Sequence, residues 1–130
     1  VGGSAVKDLP TAWHDKMKSY LGIEPSCHKD GVLQDVHWPA GYFGYFPSYT
    51  LGNIYSGQFL MQMEKELGNI DDLLINQEIS KITTWLTKNI HQYGRLKTPK
   101  EIIQDTCKSE INVKPIIEYY TNKFTKLYNI

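Results

Sequence analysis

The sequence has little arginine and no charge imbalance. Arg95 is its single guanidinium, and basic and acidic residues cancel to a formal net charge of zero. Balanced charge gives no electrostatic drive toward nucleic acid or an anionic membrane. The lack of planar guanidinium forks argues further against phosphate recognition. Cysteine is scarce: Cys27 and Cys107 form neither a redox nor a metal spacing. There is no secretory apolar stretch, no hydrophobic run of membrane length and no Asn-x-Ser/Thr acceptor. These absences predict an intracellular, cytoplasmic protein with free thiols and no nucleic-acid or membrane partner.

Metal-ligand patterns are missing too. The histidines are His14, His28, His37 and His91, and none stands in a His-Glu-x-x-His motif or pairs at helical metal spacing. Glu24, Glu64, Glu66, Glu78, Glu101, Glu110 and Glu118 have no such histidine pair to complete. His28 adjoins Cys27, which offers a two-ligand pair; an exposed loop histidine is the plainer reading. No metal ligand set is therefore assigned within the chain.

What is present reads as one all-α unit over residues 1–130, with about six helices and one irregular aromatic and glycine-rich segment at 31–46. The chain is long enough to bury a sizeable core. Residues 1–8 are small and polar and read as frayed or extended. Pro10 opens an amphipathic helix carrying Leu9, Trp13, Met17, Tyr20 and Leu21, which Gly22 stops. Pro25 to Asp30 read as a loop, and residues 31–38 as a short strand or extended segment. Pro47 is pre-set for the first turn of the longest helix, which runs to about Leu67. Its apolar residues cover more than one face, which predicts a central position. Gly52 and Gly57 weaken that helix by about 1 kcal/mol each, so both are expected where a neighbouring element packs closely. Asn69 with Asp72 caps a short helix. Residues 78–92 make another, and Gly94 stops it. Thr98-Pro-Lys-Glu101 is a capping box with proline at the first helical position. Its helix is expected to bury Ile102, Ile103 and Cys107. The last helix begins near Pro115, with Ile116, Ile117, Tyr120, Phe124, Leu127 and Tyr128 in a stripe.

Residues 31–49 concentrate the chemistry. Gln34, Asp35 and His37 stand close together; Trp38, Tyr42, Phe43, Tyr45, Phe46 and Tyr49 follow, punctuated by Gly41 and Gly44. Exposed rings gain nothing from burial, and buried Asp, His and Gln each need a partner. A cleft wall accommodates both, with rings as walls and a few inward polar groups. From the residues alone, His37 beside Asp35 is open to three readings: general base, oxyanion donor or buried structural residue. The tyrosines have a plain alternative as aromatic core with hydroxyls bonded to backbone.

The pattern Gly-x-x-Gln-Asp-x-His-Trp, filled here by Gly31, Gln34, Asp35, His37 and Trp38, resembles a signature of the thermostable carboxypeptidase (carboxypeptidase Taq) family. The following Phe-Gly-Tyr-Phe-Pro run is matched by Phe43 to Pro47. The resemblance covers nearly the whole chain but only the C-terminal part of such an enzyme. It implies an all-helical, neurolysin-like fold and a zinc-dependent metallocarboxypeptidase that releases single amino acids from peptide C-termini. It also implies a peptide substrate, and a homodimer as a candidate assembly. Zinc in the intact enzyme would be held by a motif outside this chain, so the 130 residues alone are expected to be inactive. The start at Val-Gly-Gly fits a piece of a longer polypeptide.

Under this resemblance Tyr45 and His37 are the catalytic candidates, a phenolic O–H and an imidazole N–H stabilising charge on a tetrahedral intermediate. Tyr49, four residues on and expected to share a helical face with Tyr45, would help place the peptide. Gln34 and Asp35 would touch substrate, or hold the loop and orient His37. Tyr42 departs from the family pattern, where a small residue is common, and is assigned a structural or rim role. The competing reading is a non-catalytic helical module that binds a peptide or partner protein through the aromatic stretch. A truncated catalytic piece should expose apolar residues at Tyr42 to Tyr49 and along the long helix.

Overall fold

Local signals set most of the helices. A computed structural model describes residue 3 and residues 5–130, and it contains helices and turns with no strand among the described residues. Six α-helices follow in order: α1 (Leu9–Leu21), α2 (Pro47–Leu67), α3 (Ile70–Ile75), α4 (Ile79–Asn89), α5 (Pro99–Cys107) and α6 (Lys114–Tyr128). The all-α expectation and the helix count both hold. No helix among the described residues is long and apolar enough to cross a membrane. The chain divides into two compact units, Val1–Phe46 and Pro47–Ile130.

In the first unit α1 carries Pro10 in its first turn and closes on Gly22, whose N–H donates to the Lys18 carbonyl at 3.0 Å. Of the expected frayed start, residues 1, 2 and 4 lie outside the described residues, and Val6–Asp8 form a 3₁₀ turn instead. Of the short strand or extended segment expected at 31–38, no strand forms and turns take most of the stretch. Val32–Gln34 is a 3₁₀ turn after a similar one at His28–Asp30. A strand needs a partner for its backbone groups, and here short-range turns satisfy them: the Gln34 N–H donates to the Gly31 carbonyl at 2.9 Å. Trp13 of α1 meets Trp38 edge to face, with centroids 6.4 Å apart.

In the second unit α2 is central, with α3, α4, α5 and α6 all against it. The core is Met63, Leu73, Trp85, Ile102, Ile103 and Cys107. The three α5 residues match expectation. Both anticipated caps form. Asn69 Oδ1 accepts from the Asp72 N–H. At α5, Thr98 Oγ1 accepts from the Glu101 N–H while the Glu101 carboxylate accepts from the Thr98 N–H at 2.7 Å.

The two helix glycines part company. A Cβ at Gly57 would lie 2.7–2.8 Å from Cβ, Cα and N of Ile116, so α6 crosses α2 there. At Gly52 a Cβ would meet nothing within 4 Å, so the close-packing expectation fails at that position. Next to Gly57, Gln58 is fully buried. Its amide donates to the Glu110 carbonyl at 3.0 Å and accepts from the Asn112 N–H at 2.8 Å, tying the α5–α6 connection to α2. On α6 the apolar stripe is mostly exposed: Ile117, Tyr120, Phe124, Leu127 and Tyr128 all face solvent. Tyr120, Phe124 and Tyr128 stack on one another at 5.8 and 5.9 Å along the helix. On α4 only Trp85 is fully buried, and Ile79 is exposed.

Candidate functional site

The aromatic segment lies in the first unit, folded by successive turns. The Ala40 and Tyr42 N–H groups both donate to the His37 carbonyl, at 3.1 and 2.9 Å. The Gly41 N–H reaches the Trp38 carbonyl at 2.9 Å, and the Tyr45 N–H the Tyr42 carbonyl at 3.3 Å. Gly41 and Gly44 have φ of 78° and 75°, a backbone region that favours glycine. With those two positions left-handed, the chain doubles back and sets Tyr45 over His37.

The rings of His37 and Tyr45 lie 5.3 Å apart and 30° from parallel. Phe46 presents an edge-on contact to the same imidazole at 5.1 Å and 77°. Tyr42 packs on Tyr45 at 5.8 Å. The structure thus brings His37 and Tyr45 together. Tyr45 is half exposed and Phe43 is 78% exposed, so this is an open aromatic surface within its unit. The segment exposes apolar residues, as expected of a catalytic piece. A nearby hollow of about 290 Å³ is lined by Leu9, Val32, Asp35, Trp38 and Pro39 among others; neither His37 nor Tyr45 lines it.

Asp35 is buried beneath His37. Its Oδ1 accepts from the His37 backbone N–H at 2.7 Å and lies 3.2 Å from His37 Nδ1. A buried carboxylate needs donors of this kind. Gln34 is exposed, and its amide donates to the Lys29 carbonyl at 2.6 Å, across the 3₁₀ turns. Tyr49 belongs to the first turn of α2 and is exposed. Tyr45 precedes α2, which opens at Pro47, so the expected shared helical face of Tyr45 and Tyr49 does not exist. Phe46 is expected from the sequence as one ring of a cleft wall and as part of the Phe43 to Pro47 run. Its contact with the imidazole depends on the turn geometry, which no residue pattern announces.

Elsewhere in this unit the His14 and His28 rings approach to 5.9 Å, a pairing invisible in the sequence. Cys27 Sγ and Ser26 Oγ both donate to Asp30 Oδ2, at 3.4 and 3.0 Å. No group of three or more His, Cys, Asp or Glu side chains among the described residues could hold one metal ion.

Comparison with known proteins identifies the family. A family model described as carboxypeptidase Taq (M32) metallopeptidase matches residues 2–124. Carboxypeptidase 1 of Bacillus subtilis is 45% identical over 124 residues, covering 95% of this chain and 25% of that protein. Thermostable carboxypeptidase 1 of Thermus thermophilus is 38% identical over 127 residues, covering 98% of this chain and 25% of that protein. The solved M32 carboxypeptidase of Deinococcus radiodurans R1 superposes with a TM-score of 0.88 at 34% identity, covering 98% of this chain and 26% of that one. The chain spans about a quarter of the length of the curated relatives it matches. With the family model matched over residues 2–124 and the fold shared, the chain belongs to the carboxypeptidase Taq (M32) metallopeptidase family.

Proposed function

We propose that these residues are the C-terminal portion of a zinc-dependent metallocarboxypeptidase catalytic domain that removes single amino acids from peptide C-termini. Zinc chemistry belongs to ligands outside this chain, and the roles proposed here involve only its own side chains. Tyr45 and His37 donate hydrogen bonds to the negative charge that develops on the former carbonyl oxygen. Tyr49 helps to place the peptide. Gln34 and Asp35 border the substrate path, and their hydrogen bonds to the Lys29 carbonyl and to His37 favour holding the loop and orienting the imidazole. The homodimer and the cytoplasmic location stay part of the proposal.

The observation that carries the reading is the contact between the His37 and Tyr45 rings at 5.3 Å, on a half-exposed aromatic surface. Rings held that close set a phenol and an imidazole on one surface. Its test is Tyr45→Phe in a full-length polypeptide carrying this segment. The expected loss in kcat is roughly ten- to a thousand-fold, with zinc content unchanged. An unaltered kcat would remove Tyr45 from the mechanism. The 130-residue chain alone is expected to show no carboxypeptidase activity and no stoichiometric zinc binding at sub-micromolar affinity in a calorimetric titration. Tight one-to-one binding would refute the division of labour.

A further inference from the structure

We infer that Asp35 is a positioning residue that fixes a proton on His37 Nδ1, so that Nε2 can donate a hydrogen bond only when the ring is the imidazolium. The inference rests on the reading of His37 as a donor to the reaction intermediate and specifies the form in which it acts.

The geometry is closed on one side. The Asp35 side chain is 4% exposed and that of His37 17%. Asp35 cannot swing away, because its Oδ1 is tied to the His37 backbone N–H at 2.7 Å. The same oxygen lies 3.2 Å from Nδ1. An ionised carboxylate only accepts hydrogen bonds, so Nδ1 must carry the hydrogen between them. A neutral imidazole has one N–H, so its Nε2 then presents a lone pair. A lone pair repels a developing oxyanion; the imidazolium, with N–H at both nitrogens, attracts it. The rings hold this orientation, Tyr45 from one side and Phe46 edge-on. Within this unit the charged or titratable groups packed on the imidazole include Asp35 and Tyr45, with Tyr42 against Tyr45; Phe46 adds an apolar edge.

The consequence has a defined sign. The imidazolium stabilises the intermediate, whereas the neutral ring, with Nδ1 carrying the hydrogen, turns an acceptor toward it at Nε2.

The first arm of the test uses the chain itself, labelled with ¹⁵N-histidine, in two-bond ¹H–¹⁵N correlation spectra assigned with His37→Gln. With the ring neutral, the Nδ1–H tautomer is expected to exceed Nε2–H by about tenfold or more, as a hydrogen bond to a charged acceptor requires. Asp35→Asn, whose amide can offer either atom, is expected to lower that ratio about tenfold. A neutral ring protonated mainly at Nε2 in the unsubstituted chain overturns the inference. The second arm measures kcat and KM in a full-length polypeptide carrying this segment. Asp35→Asn is expected to lower kcat more than it changes KM, with Asp35→Glu recovering part of the loss. An unchanged kcat in Asp35→Asn, while His37→Gln lowers kcat, also overturns it. If the spectra give Nδ1–H but His37→Gln leaves kcat unchanged, the catalytic reading of His37 fails and the assignment of Asp35 stands.

Discussion

Replacing each of two glycines in the same helix by alanine should move stability in opposite directions. Both Gly52 and Gly57 lie inside α2, and alanine favours a helix interior over glycine by about 1 kcal/mol. At Gly52 nothing stands within 4 Å of the new methyl, so the whole propensity gain survives. Gly52→Ala should stabilise the chain by about 0.5–1 kcal/mol. At Gly57 the methyl would stand 2.8 Å from both Cα and N of Ile116, and 2.7 Å from its Cβ. Backbone atoms cannot rotate aside, so α6 must lift from α2 by several tenths of an ångström. Overpacking of this kind costs about 1–3 kcal/mol, and contacts to backbone belong at the upper end. Subtracting the propensity gain leaves Gly57→Ala destabilising by about 2 kcal/mol. Urea denaturation followed by far-UV circular dichroism measures both, with the slope checked for constancy across variants. A Gly57→Ala chain as stable as Gly52→Ala would refute the close crossing of α6 over α2.

Acid should weaken the second unit through Glu66. Hydrogen bonds from Gln62 and then from the Trp85 indole, at 2.8 and 2.7 Å, hold its carboxyl below the ordinary value. A depressed folded value means the contribution is full above the ordinary glutamate range near about 4.3 and fades as pH falls through the lower folded value. Glu66→Gln should therefore flatten the acid limb of a stability-against-pH curve; an unchanged limb would count against the Trp85–Glu66 bond. Thr98→Ala removes the capping-box oxygen that accepts from the Glu101 N–H and should cost about 1 kcal/mol in a thermal or urea melt. A loss below a few tenths would mean that water caps α5 equally well.

Legibility followed range. The Thr98–Glu101 box and the Asn69–Asp72 cap involve residues three apart, and both formed where the letters put them. Gln58 gave no signal, because its partners at Ser109, Glu110 and Asn112 lie far along the chain. The short strand or extended segment expected at 31–38 rested on Val32, Leu33 and Val36. Those residues suit an extended segment equally well in a run of turns, and Leu33 and Val36 in fact face solvent. The stripe on α6 was read correctly as a stripe, but amphipathic spacing says only that a face exists, not what covers it. At the site, the residue types at 34–49 were visible from the start. Tyr45 was wrongly credited with a helical face because Pro47, and not Tyr45, begins α2.

The sequence by itself determined where helices start and which chemical groups crowd residues 31–49, because helix propensity, caps and turn chemistry act over a few neighbouring residues; α4, expected to run to 92, ends instead at Asn89 before a 3₁₀ turn. Tertiary structure decided the rest. The Gly41 and Gly44 turns fold Tyr45 back onto His37, and burial of Asp35 sets its carboxylate against Nδ1. Gly57, and not Gly52, lies under α6. Each of these is a distance between groups that the residue spacing leaves undetermined until the chain has closed around them.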